Sequence, residues 1–212
     1  FDSVRYRYTS DGPWVLDDLN LTIPMGARVG FVGSTGSGKS TVLDLLMGLL
    51  MPTDGELLVD GHPLSGNRVK AWQQTIAHVP QTIYLADASI AENIAFGVPF
   101  ETIDMDRVQQ VARQAQIADF IESGSDGYNS FVGERGIFLS GGQRQRIGIA
   151  RALYKKANVL VFDEATSALD NATEQSVMDA IEGLSGELTI LFIAHRLTTI
   201  KRCDIIVELE NG

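Results

Sequence analysis

The run Gly33-Ser34-Thr35-Gly36-Ser37-Gly38-Lys39-Ser40 has the spacing G-x-x-x-x-G-K-S/T, in which residue type and order both suit a phosphate chain. Its glycines let successive backbone amides point inward at an anion, and a following helix N-terminus adds its dipole. Lys39, expected as a partly exposed charge, suits the β- and γ-phosphates of a nucleotide, Ser40 offers a hydroxyl to Mg2+, and Thr41 extends the cradle. The bland alternative is a glycine-rich turn that matches by chance. A second group lies where the apolar run Val159-Leu160-Val161-Phe162 ends in Asp163-Glu164. A buried strand carries such a carboxylate to the edge of the sheet where ligands of open α/β folds bind, and there Asp163 can hold the shell of a Mg2+ ion. Glu164 beside it can polarise an attacking water; the alternative is a surface carboxylate capping the next helix.

Positioning these groups requires an α/β frame, and the sequence supplies one. Strands are expected over 4–8, 14–23, 27–32, 56–59 and 76–79, with a helix over 39–50 whose Val42, Leu45, Leu46, Leu49 and Leu50 keep helical spacing. The phosphate motif thus sits between a strand and a helix. The middle block turns helical, with helices expected over 90–95, 105–115 behind the cap Asp104, 118–123 and 141–154. The α/β rhythm returns with strands over 159–162, 189–194 and 204–209 and a helix over 173–184. The continuous apolar runs suit strands buried on both faces of a parallel sheet.

Composition narrows the class. With 44% hydrophobic residues among 212, the chain can bury a sizeable core, and a net charge of −10 argues against nucleic acid as a partner. Cys203 is alone, which excludes an internal disulfide and fits a reducing compartment. No stretch approaches the roughly 18 consecutive apolar residues of a membrane helix, and strand-like sequence at both ends reads as a soluble domain taken from a longer polypeptide.

Leu139-Ser140-Gly141-Gly142-Gln143, followed by a helix, resembles the signature motif of the ABC ATPases, and the remaining motifs follow in that family's order. The resemblance implies an α/β P-loop NTPase core, a mixed sheet flanked by helices, spanning 1–85 and 155–212. It also implies an inserted helical subdomain at 86–154 and an antiparallel β edge. By the same resemblance Tyr8 stacks on adenine, with Tyr6 as the competing aromatic, and Gln81 touches Mg2+ and the attacking water and senses a membrane domain. His195 contacts the γ-phosphate, whereas His62 and His78 are surface or packing residues. Ser140, Gly142 and Gln143 complete the ATP site of a second subunit, and Ser167-Ala168-Leu169-Asp170 crosses to that partner. The implied unit is a head-to-tail homodimer of nucleotide-binding domains that buries two ATP molecules and hydrolyses them.

Val132-Gly133-Glu134-Arg135-Gly136 and the stretch from Ser89 to Gly97 resemble segments of ABC exporters. They imply a transmembrane domain, fused N-terminally, and a place at the cytoplasmic face of the cell membrane. Gln81 to Asp87 together with Ile117 to Ile121 are similar to bacterial exporters of lipid-linked glycans or polysaccharide precursors; lipid, peptide and drug exporters stay open. The alternative is a soluble ABC-type mechanical ATPase not linked to transport. Such proteins usually carry coiled coils, tandem cassettes or basic arms, which this sequence lacks.

Overall fold

The computed structural model describes residues 1–163, 168–182, 188–193 and 200–210. Its contacts divide the chain into two units.

The first unit comprises Phe1–Ala77, Asn158–Asp163 and Glu187–Gly212. In chain order it holds β1 (Asp2–Tyr6), β2 (Leu16–Leu19), β3 (Arg28–Val32), α1 (Lys39–Leu46), β4 (Asp54–Glu56), β5 (Leu58–Val59), β6 (His62–Pro63) and α2 (Asn67–Gln74). The first half of β7 (Ile76–Val79), β8 (Val159–Asp163), β9 (Thr189–Ile193) and β10 (Ile205–Glu208) complete it. Five strands form one sheet in the order β10-β3-β9-β8-β7, in which β10, β3, β9 and β8 run parallel. The apolar runs are buried on both faces, as expected: β9 is covered at every position and β8 at all but Asp163. Phe162 and Phe192, partners in register, stack with ring centroids 5.4 Å apart. The antiparallel edge is a separate sheet, β2-β1-β4. β1 begins two residues earlier than expected at the same length, and β2 is shorter, four residues within the expected 14–23. The pair is irregular, with a register shift between Val4 and Tyr6 and a left-handed φ of 59° at Asp18.

α1 stops at Leu46 although apolar residues continue the helical period to Leu50. Gly48 turns left-handed at φ 67°, its amide bonds to Leu45 O at 2.9 Å, and the Leu49 amide reaches Asp44 O at 2.9 Å, so the last carbonyls are closed off. α2 supplies further donors, from Trp72 Nε1 to Leu46 O at 2.6 Å and from Gln73 Nε2 to Gly48 O at 3.1 Å. Val29 and Phe31 of β3 and Val42 and Leu45 of α1 are fully buried in one core. Each contributes about 1.5–3 kcal/mol. The loop between β3 and α1 is therefore anchored at both ends.

The second unit comprises His78–Ala157 and Glu164–Gly186 and is helical: α3 (Ile90–Ile94), α4 (Met105–Gln114), α5 (Ala118–Glu122), α6 (Gly141–Tyr154) and α7 (Asn171–Glu182). Asp104 caps α4 as expected, accepting from Arg107 N at 3.0 Å, and Val108, Val111 and Ala112 form its buried face. The Arg107 guanidinium donates to Leu153 O and Tyr154 O at 2.6 and 3.0 Å, placing a cation at the C-terminus of α6. Among the described residues no helix is long and apolar enough to cross a membrane.

Candidate functional site: a phosphate cradle and a signature helix

β3 delivers the chain to Gly33, where φ is 147° and a side chain would run into the Leu209 carbonyl and, at 2.6 Å, Ser37 Oγ. Glycine is thus required for the loop to pass this close to its neighbours. α1 begins without a side-chain cap and without an acidic residue in its first turn. Its first backbone bond runs from Val42 N to Gly38 O at 2.9 Å, so the amides of Lys39, Ser40 and Thr41 have no partner inside the helix. Ser37 Oγ is buried and has no hydrogen-bond partner among the described residues. Orphaned donors at a helix N-terminus, and a buried hydroxyl beside them, fit a bound phosphate.

Lys39 is 7% exposed, not the partly exposed charge expected. Its side chain folds back along the loop, and Nζ donates to Gly33 O at 2.9 Å and Ser34 O at 2.7 Å, so carbonyls replace water around the ammonium.

Asp163 ends β8 in register with Ile193 of β9, which in turn pairs with Phe31 of β3. It therefore lies on the carboxyl edge from which the loop rises, two strands over, or roughly 10 Å across. Ser40 is exposed at the start of α1. Among the described residues no group of three or more His, Cys, Asp or Glu could hold a metal alone. A Mg2+ ion suits this donor set, since it usually takes one or two protein ligands together with phosphate oxygens and water. Glu164 and His195, which follow β8 and β9 in the sequence, and Ser167 lie outside the described residues.

Tyr6 and Tyr8 meet edge to face at 5.1 Å but differ in exposure: Tyr6 belongs to the core at 8%, whereas Tyr8 presents its ring at 63%. Burial raises the Tyr6 pKa. Tyr8 OH lies 3.0 Å from Thr41 Oγ1, which joins two of the expected nucleotide residues directly. No sequence signal announces this bond.

In the helical unit, Ser140 and Gln143 form a reciprocal capping box at the start of α6. Ser140 Oγ accepts from Gln143 N at 3.2 Å, and Gln143 Oε1 accepts from Ser140 N at 2.7 Å. The amides of Gly141 and Gly142 stand in the first turn of this 14-residue helix. Asp170 caps α7, accepting from the amides of Ala172 and Thr173 at 3.1 and 3.0 Å and from the Thr173 hydroxyl at 2.7 Å. This cap starts α7 two residues ahead of the expected position. The Thr173 side chain and backbone donors hold the Asp170 carboxyl below its ordinary range. Gln81 is exposed in this unit, as is His78; His62 is exposed in the first.

A family model described as ABC transporter matches residues 16–167. The chain belongs to the ABC transporter family. Over all 212 residues it is 46% identical to an ATP-dependent lipid A-core flippase of Alkalilimnicola ehrlichii, of which it covers 36%. It is 43% identical to the alpha-hemolysin translocation ATP-binding protein HlyB of Escherichia coli O157:H7, covering 30%. Among solved structures, a bacterial Atm1-family ABC exporter with ATP bound matches the whole chain with TM-score 0.93 and 39% identity, the chain covering 37% of it. The chain thus spans about a third of the length of these relatives. Its fold is that of the ABC ATPases, and it is an ATP-binding domain of the exporter type.

Proposed function

We propose that this domain binds and hydrolyses ATP with Mg2+ as the motor of an ABC exporter, joined to a transmembrane domain and paired head to tail with a second copy. The observation that carries the reading is the loop from Gly33 to Ser40, with first-turn amides that have no partner inside α1 and the buried ammonium of Lys39. Lys39 exchanges its two carbonyl partners for phosphate oxygens, and the amides of α1 hold the rest of the phosphate chain. Ser40 and Asp163, with help from Gln81, would hold a Mg2+ ion, which would offset the charge of the phosphate oxygens. Tyr8 offers its ring face to adenine. Glu164 takes a proton from the attacking water, which Gln81 orients, and His195 donates to the γ-phosphate.

Ser140, Gly142 and Gln143 act on the nucleotide of the second copy. Supporting this, Ser140 is exposed and the amides of Gly141 and Gly142 head a long helix. Asp170 lies beside that dimer contact, and the segment 86–154 is the part of the helical unit that carries the signature. The domain works at the cytoplasmic face of a membrane. For cargo we propose lipid-linked glycans, because a lipid A-core flippase is among the relatives. Vesicles containing the full transporter would then hydrolyse ATP faster with such a lipid than with a peptide.

Calorimetry with Mg-ATP and measurement of phosphate release test the core reading. Wild-type chain is expected to bind and release phosphate, and Glu164→Gln to bind with phosphate release at least about a hundredfold slower. Absence of binding, or equal turnover in Glu164→Gln, contradicts it.

A further inference from the structure

Asn93 is fully buried where three backbone segments of the helical unit meet. Its Oδ1 accepts from Ala86 N at 2.9 Å and Arg151 Nη2 at 3.2 Å, and its Nδ2 donates to Ala86 O and Ser89 O, each at 3.0 Å. The hydrogen-bonding capacity of the amide is filled. Arg151, in the last turn of α6, adds bonds from Nε to Asn93 O at 2.8 Å and from Nη1 to Tyr84 O at 2.9 Å, and its guanidinium stands 4.7 Å from the centre of the Phe96 ring. One turn earlier, Gly148 leaves room for Ile83, whose Cδ1 would lie 2.5 Å from a Cβ there. Residues 83–86, which begin two positions after Gln81, are thus fastened to α6 twice, once through apolar contact and once through a polar hub. α6 runs unbroken from there back to the Ser140–Gln143 box.

We propose that Arg151 and Asn93 are positioning residues that make the segment after Gln81 and the signature helix one mechanical piece, so that a displacement at Gln81 reaches Ser140. The inference rests on the roles proposed above for Gln81 and Ser140. Packing alone does not call for a guanidinium here, since burying a charge is costly unless its donors are used. The planar fork of arginine holds Tyr84 O, Asn93 O and Asn93 Oδ1 at once; the single ammonium of lysine cannot span them.

Residue-resolved hydrogen exchange of the 212-residue chain, with Mg-ATP affinity and turnover measured on the same samples, tests this. In Arg151→Lys and Arg151→Gln, exchange at the Ala86 amide is expected to rise about tenfold or more, the loss of one charge-assisted bond, while the interiors of α4 and α6 keep their protection. Mg-ATP affinity stays within about twofold, turnover falls about tenfold, and Gln81→Ala combined with Arg151→Lys is no slower than Gln81→Ala alone. Unchanged protection at Ala86, or protection lost across α4 and α6 in both variants, overturns the proposal. So do losses that multiply while Gln81→Ala by itself is impaired. If Gln81→Ala turns over like wild type, the role of Gln81 falls on that single variant, and this inference falls with it.

Discussion

Replacing Lys39 by alanine separates what the ammonium does for the fold from what it does for the nucleotide. In the fold it makes two bonds, at 2.9 and 2.7 Å, to Gly33 O and Ser34 O. Each charge-assisted bond is worth about 1.5–3 kcal/mol if its acceptor stays dry. Ser34 is exposed and Gly33 half-buried, so water takes over both carbonyls. The net loss is then about 1 kcal/mol, a fall of about 2–4 °C in Tm for a chain of this size. For the nucleotide, an ammonium about 4 Å from a phosphate charge contributes roughly 4 kcal/mol at an effective dielectric near 20. Leaving the two carbonyls offsets about half of that, so Lys39→Ala is expected to weaken Mg-ATP binding roughly 30-fold. Titration calorimetry and thermal unfolding on the same preparation give both numbers. An affinity within threefold of wild type, or a Tm lower by more than about 10 °C, refutes the reasoning, the first for the phosphate role and the second for the claim that water replaces the ammonium.

Gly33→Ala, which drives a Cβ into the Leu209 carbonyl and Ser37 Oγ at a φ of 147°, is expected to destabilise by at least about 3 kcal/mol. Gly36→Ala, with φ 84° and nothing within 4 Å of the added atom, costs about 1 kcal/mol; urea unfolding compares the two, and equal losses contradict the geometry. Tyr8→Ala weakens Mg-ATP binding by about 1 kcal/mol, and Tyr8→Phe recovers only part because it loses the Thr41 hydroxyl. If Tyr8→Phe matches wild type, the bond to Thr41 does not set the ring, and a loss in Tyr6→Ala with none in Tyr8→Ala moves the role to Tyr6. The Asp170 carboxyl is lowered in the fold, so its cap on α7 is present above the ordinary carboxylate pKa and is lost as pH falls through the depressed value. Asp170→Asn removes that acid dependence, measured by exchange of the Ala172 and Thr173 amides, and an unchanged profile contradicts the cap.

The sequence exposes the phosphate loop because its chemistry demands particular residues at contiguous spacing. β8 and β9 are legible because strands buried on both faces leave unbroken apolar runs. α2 carries no fully buried residue and so leaves no helical period to read. The β5–β6 hairpin turns on Asp60-Gly61, at φ 51° and 75°, a short signal easily passed over between two-residue strands. Leu49 keeps the period of α1 yet is 61% exposed, because the closure at Gly48 overrides periodicity. The burial of Lys39, the bond from Tyr8 to Thr41 and the hub at Asn93 depend on residues brought together only by folding.

Light scattering of Glu164→Gln after size exclusion tests most directly whether the domain works as an ATP-sandwiching dimer. Slowed hydrolysis leaves both nucleotides as ATP, so with saturating Mg-ATP the variant is expected at twice the 23.0 kDa chain mass with one ATP per chain. With Mg-ADP it is expected at the single-chain mass. A variant that binds Mg-ATP fully yet stays at the single-chain mass, or one that is equally dimeric with ADP, contradicts the account.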